Sequence, residues 1–261
     1  MTDAHDAGSA DAGSIGFETA EGVATIELRS PATRNALSVP LTEALLARLA
    51  QADADPAVHA VVIAAQGPAF CAGLDLAEAL ERGMDEGARR LVAVQRALLA
   101  LGKPVVARVH GAARAGGVGI VACADIAVCA ESVTFAFTEA RLGVAPLAVS
   151  PAVLSVLPRR TAADLWLTGR VMPAREAAEA GLVTTVVPDA ELDDAVSGVL
   201  AGLRRGVPQG LCESKRILNA PLVSALDAHG DELAARSAAL FGSDAARTAM
   251  AAFLRPRSGT A

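Results

Sequence analysis

Following a turn at Glu21-Gly22, the apolar residues Ala24, Ile26 and Leu28 alternate with Thr25 and Glu27. A period of two marks a half-buried strand, so the stretch from Ile15 reads as a hairpin with one buried face, ended by Ser30-Pro31. The period then lengthens. Leu41, Leu45 and Leu49 recur every fourth residue behind Ser38 and Pro40, a helix with a hydroxyl cap and a proline in its first turn. A strand is expected over 58–64 and a short helix over 76–80. Asp85 is then expected to cap a helix whose stripe is Leu91, Val94, Leu98 and Leu101 and which closes at Gly102-Lys103-Pro104. A strand over 105–109, a helix over 117–123 and a strand over 125–129 follow.

Beyond Pro146 the pattern becomes helical. Thr161 begins a helix over 162–167, Pro173 opens one that Gly181 closes, and a strand over 182–187 stops at Pro188. From Asp189 onward three or four amphipathic helices are expected, the first presenting Leu192, Val196, Val199 and Leu203 on one face. Residues 1–13 carry no apolar periodicity and read as a disordered tail, and residues 255–261 read as frayed. The expected organisation is an α/β core over 14–190 and a helical region over 191–261, with a soft boundary near residue 190. Repeated strand and helix units imply right-handed crossovers and a largely parallel sheet, whose strand C-termini gather their loops on one edge.

Two of those loops carry glycine. The first, Gly67-Pro68-Ala69-Phe70-Cys71-Ala72-Gly73-Leu74-Asp75-Leu76, follows the run Ala60-Val61-Val62-Ile63-Ala64. The second runs from Val109-His110-Gly111 through Arg114-Ala115-Gly116-Gly117-Val118-Gly119. A strand, a glycine loop and a helix in succession leave the first N–H groups of the helix unpaired and aimed out of the strand ends. Two such loops side by side can offer two N–H donors to one oxygen, which is an oxyanion hole.

Composition narrows the class. With 52% hydrophobic and 20% charged residues a packed globule is expected, and a net charge of −6 argues against nucleic acid as a partner. The sequence shows neither a secretory pattern nor a run of about 20 apolar residues, so no membrane association and a cytoplasmic location are expected. Cys71, Cys123, Cys129 and Cys212 lack metal-ligand spacing, and no His, Cys, Asp or Glu cluster suggests a metal. Cys123 and Cys129 lie in apolar runs as spectator thiols. His110 reads as a structural residue, and Glu78 and Glu81 as solvated helix positions.

The sequence resembles the crotonase (enoyl-CoA hydratase/isomerase) superfamily. The likeness rests on Arg34-Asn35-Ala36-Leu37, the first loop from Ala69 to Leu76, and the second from Gly111 to Gly117. Asp125-Ile126-Ala127, Phe135-Ala136-Phe137-Thr138-Glu139-Ala140-Arg141-Leu142-Gly143, Leu167-Thr168-Gly169-Arg170 and Ala177-Ala178-Glu179-Ala180-Gly181-Leu182-Val183 extend it. These motifs run from about residue 15 to 190. The resemblance implies an α/β, crotonase-like spiral of ββα units with a C-terminal α-helical extension that builds homotrimers or dimers of trimers. It also implies an acyl-CoA thioester substrate and no separate cofactor, coenzyme A being part of the substrate.

By the same resemblance, the backbone N–H groups of Leu74 and Gly116 hold the thioester oxygen as an enolate forms, and Glu139 is the catalytic acid/base. Arg34, Ala36, Ala72, Leu74, Asp75 and Leu76 fall around the coenzyme A, with Arg34 placed to meet a phosphate and Asp75 read first as the cap of the helix that starts there. One position departs from the pattern: Gly119 stands where two-glutamate hydratases carry their second carboxylate. Three readings follow. The first is hydration of a 2-enoyl-CoA, the second a Δ3,Δ2 isomerisation with Glu139 as sole base, the third a non-catalytic acyl-CoA-binding protein. The surrounding runs also look like a branch acting on branched or carboxylated enoyl-CoAs, in which Arg114 could pair with a substrate carboxylate or be a plain surface residue.

Overall fold

A computed structural model of the chain describes residues 14–254, so the expected tails at 1–13 and 255–261 lie outside the described residues. The chain opens with β1 (Ser14–Ala20) and β2 (Val23–Arg29), an antiparallel hairpin pairing Ile15 with Leu28. Its two-residue turn has Glu21 at φ 49° and Gly22 at φ 76°, the left-handed pair that suits a tight hairpin. In α1 (Val39–Ala54) the Ser38 hydroxyl accepts from the Leu41 amide, and Leu41, Leu45 and Leu49 are buried.

The units that follow share one plan, a long strand, a three-residue strand and a helix. β3 (Ala60–Ala65) leads to β4 (Ala69–Cys71), then α2 (Leu76–Arg82) and α3 (Asp85–Ala100). β5 (Val105–Val109) leads to β6 (Ala112–Arg114) and α4 (Gly116–Ala122). β7 (Ile126–Ala130) leads to β8 (Thr134–Ala136) and a 3₁₀ turn over Glu139–Leu142. The long strands make one sheet in the order β1-β2-β3-β5-β7-β10, parallel apart from the hairpin. All six residues of β3 are buried, as expected of a parallel strand covered on both faces.

The short strands build a second sheet, β4-β6-β8-β9. The glycine loops are therefore not plain loops, because each adds a strand to this sheet before turning into its helix. Two further details correct the expectation. Met84 takes the cap position before α3 and Asp85 is the first helical residue, where its charge suits the positive end of the helix. The helix after the second loop starts at Gly116, one residue early.

The rest is mostly helical: α5 (Ser150–Val156), α6 (Arg159–Thr168), β9 (Val171–Pro173), α7 (Ala174–Glu179) and β10 (Thr185–Val187). Then come α8 (Leu192–Leu203), α9 (Pro208–Phe241) and α10 (Asp244–Leu254). Leu192 and Val196 are buried, and Val199 and Leu203 pack partly buried against the core. α9 is fastened to the core by Lys215, which is 4% exposed and donates to the carbonyls of Leu98 and Lys103 and to Asp125, 2.7 Å away. Gly230 lets α9 approach Val92 of α3, where a Cβ would come within 2.8 Å. No helix among the described residues is long and apolar enough to cross a membrane.

Candidate active site

The first loop is held by a residue whose role the sequence pattern did not suggest. Asn35 is completely buried at φ 55°; its Oδ1 accepts from the Ser30 amide, and its Nδ2 donates to the carbonyls of Gln66 (2.8 Å) and Ala69 (2.9 Å). Asparagine suits the position because it tolerates the left-handed region and brings both donors and an acceptor. Asn35→Ala would leave three backbone groups without their partner, two of them buried, and is expected to lower stability by about 2–4 kcal/mol. A chemical-denaturation midpoint equal to that of the unmodified chain would refute the clamp.

Main-chain bonds continue the fastening. The Ala72 amide donates to Arg34 O at 3.0 Å and the Leu37 amide to Gly73 O at 2.7 Å. Across from them, Ala115 adopts φ 48°, ψ −113°, a conformation that L residues rarely take, immediately before Gly116 opens α4. The two turns touch through backbone. A Cβ on Gly73 would lie 2.9 Å from Arg114 O and 3.1 Å from Gly116 N, and one on Gly117 would lie 2.4 Å from Cys71 O. Among the described residues, neither the Leu74 nor the Gly116 N–H donates to a protein group.

Both residues line a cavity of about 550 Å³. The same cavity collects Arg34, Ala36, Ala72, Asp75, Leu76 and Glu139, so every candidate residue from the sequence lies on one wall or another. Its remaining surface is mostly apolar, with Leu91, Leu142, Val149 and Phe241. Glu139 arrives there because β8 pairs with β6, which puts the residues after each strand on the same edge as Gly116. Glu139 is 7% exposed and its Oε2 has no hydrogen-bond partner among the described residues. Burial pushes its pKa up to about 7, with the backbone amides of Glu139 and Thr138 pulling the other way.

Position 119 carries no acid. A Cβ on Gly119 would meet Val149 Cγ1 at 2.6 Å, so even the first carbon of a longer side chain there finds its space taken by valine. Gln95 is fully buried nearby, its Nε2 donating to Leu91 O and Ala148 O and its Oε1 unpartnered.

Other candidates take structural places. Asp75 caps α2, its Oδ1 accepting from the amides of Ala77 (2.9 Å) and Glu78 (3.2 Å), while still lining the cavity. Glu78 accepts from the Val39 amide at the start of α1, and Glu81 is exposed. His110 Nε2 bonds Gly67 O at 2.9 Å and ties the two loops. Burial pushes the Cys71 thiol up to about 12, which keeps it protonated and unreactive at neutral pH. Arg34 is exposed at the cavity rim, whereas Arg114 is not a plain surface residue: it is half-buried and lines the cavity. Ser237, Phe241 and Phe253 close the cavity from α9 and α10, a contribution from about a hundred residues downstream that no local pattern announces.

The enoyl-CoA hydratase/isomerase family profile matches residues 18–258. Enoyl-CoA hydratase EchA19 from Mycobacterium tuberculosis is 35% identical over 187 residues, covering 66% of this chain and 70% of that protein. Among solved structures, an enoyl-CoA hydratase from Mycobacterium avium is 42% identical with a TM-score of 0.85, covering 92% of this chain and 95% of that one. A carnitinyl-CoA hydratase from the same organism is 28% identical with a TM-score of 0.81, covering 94% and 96%.

Proposed function

Since this chain belongs to the enoyl-CoA hydratase/isomerase family, we propose that it adds water across the 2,3 double bond of a 2-enoyl-CoA to give a 3-hydroxyacyl-CoA. The observation that carries the proposal is the buried Glu139 lining a cavity that also holds the Leu74 and Gly116 turns. Ionised Glu139 removes a proton from water as the water oxygen bonds to C3. The displaced electron pair moves onto the thioester oxygen, where the N–H groups of Leu74 and Gly116 hold it as an enolate. Protonated Glu139 then returns the proton to C2. A group with a pKa near neutrality suits both steps, because neither protonation state is strongly disfavoured.

Arg34, Ala36, Ala72, Asp75 and Leu76 are proposed to surround the coenzyme A portion, which belongs to the substrate, and no separate cofactor is required. The proposed assembly is a homotrimer or a dimer of trimers.

A second reading is favoured by glycine at 119, a position that supplies no carboxylate to hold water and where an added side chain would meet Val149. In it Glu139 takes a proton from one carbon of a 3-enoyl-CoA and returns it to another. Purified protein incubated with crotonyl-CoA and with 3-hexenoyl-CoA separates the two by absorbance of the conjugated thioester. Loss with the first supports hydration, gain with the second supports isomerisation, and no change with either overturns both.

A further inference from the structure

We propose that Arg114 recognises an anionic group on the substrate, an inference that rests on the acyl-CoA reading of the cavity. Arg29, Arg90, Arg96, Arg108 and Arg170 each have a carboxylate within salt-bridge reach. Arg114 has none among the described residues, although it is half-buried, lines the cavity and belongs to an acidic chain. A cation withdrawn from water without a counter-ion is unfavourable, so the site is incomplete by itself. Burial also pulls the Arg114 pKa below its ordinary value.

The guanidinium is nonetheless fixed in place. Nη1 donates to Ala113 O at 2.9 Å and Thr134 O at 2.5 Å, and Nη2 donates to Thr134 Oγ1 at 2.8 Å. Three of its five N–H groups are thereby used, all on neutral acceptors. Nε–H and the second Nη2–H remain, and they share one edge of the planar group. That edge is the one that grips a carboxylate or a phosphate with two parallel hydrogen bonds. The strand pairing explains the placement: β6 lies beside β8 with Arg114 opposite Ala136, so the side chain reaches back to Thr134 across the sheet. Arg114 lies two residues before Gly116 in the chain, and both residues line the same cavity.

The anion can come from either end of an acyl-CoA, as a carboxylate on the acyl chain or as a phosphate of the coenzyme. Three thioesters distinguish them: crotonyl-CoA, glutaconyl-CoA, which adds an acyl carboxylate, and crotonyl-pantetheine, which has no phosphate. Arg114→Met keeps the unbranched apolar stem of the side chain and removes the charged guanidinium. It is expected to lower kcat/KM for glutaconyl-CoA about 10–100-fold more than for crotonyl-pantetheine, chiefly through KM. If crotonyl-CoA shares the larger loss, the anion is a phosphate; if it behaves like the pantetheine ester, the anion is the acyl carboxylate. Arg114→Lys, which keeps the charge but not the two-pronged edge, is expected to fall in between.

Equal losses on all three esters would assign Arg114 a structural role and overturn the inference, as would unchanged values on all three. Should the unmodified protein convert none of them, the proposed reaction fails. The same ratios are then read as Kd by titration calorimetry, which tests Arg114 alone.

Discussion

Glu139→Gln is expected to lower kcat for whichever enoyl-CoA reaction is found by about 10²–10⁴-fold, and at the same time to make the protein more stable above neutral pH. The first effect follows from the proposal, in which Glu139 is the only group positioned to accept and return the proton. The second follows from burial. An ordinary carboxyl loses its proton near pH 4.5, while this one holds it to about 7. Between those values the folded protein binds more protons than the unfolded chain, so stability falls as pH rises, and the loss is complete above about pH 7. A shift of that size corresponds to about 3 kcal/mol.

Glutamine removes the charge but leaves a polar group without a partner, so a gain of about 1–2 kcal/mol at pH 8 is expected, or several degrees in Tm. At pH 4 the gain should vanish. Activity of the unmodified enzyme moves in the opposite sense: kcat/KM should drop about tenfold for each pH unit below about 7 and level off above it, since the ionised form is the base. A fully active Gln variant, or a pH profile flat from 5 to 8, would remove Glu139 from the chemistry.

Gly73→Ala is expected to damage both stability and turnover, by about 2–4 kcal/mol and about 10²–10³-fold in kcat. Two faults coincide there. The residue stands at φ 89°, where a Cβ is strained, and that Cβ would press on Arg114 O and Ala115 Cβ at 2.9 Å. Backbone cannot rotate aside as a long side chain can, so the turn carrying Gly116 must shift and the paired amides part. Gly83→Ala is the control that separates the faults. Its φ is 82° and nothing lies within 4 Å of the added carbon, so it should cost about 1 kcal/mol and leave kcat close to its starting value. Were Gly73→Ala to turn over like the Gly83 variant, the proposed two-amide hole would have no support.

What the sequence made legible was whatever repeats. The Leu41, Leu45, Leu49 ladder, the alternation through Ile26 and the apolar run at Val61-Val62-Ile63 are periodic over enough residues to name their elements, and all three occur as expected. β4, β6 and β9 have three residues each, too few for a period, and they show themselves only through their partners in the second sheet.

In the candidate site, family-like motifs single out Leu74, Gly116 and Glu139, which line one cavity, and counting from Gly116 brings out the glycine at 119. Two other contributions, and the tether of a third, stayed hidden for a common reason. Asn35 acts by reaching Gln66 and Ala69, Ser237 by facing a cavity built mostly from the first 150 residues, and Arg114, visible as a candidate, is fixed by reaching Thr134. Each depends on contacts distant in sequence, which local pattern does not encode.

The fit of Val149 over Gly119 also constrains how this protein could change. A chain that gained glutamate at 119 alone would drive even its first side-chain carbon into Val149 Cγ1, 2.6 Å away. A chain that shortened Val149 first would open a small void beside the buried Gln95 and gain no acid. The route to a second carboxylate thus runs through an overpacked or an underpacked ancestor, and the order of the two substitutions decides which.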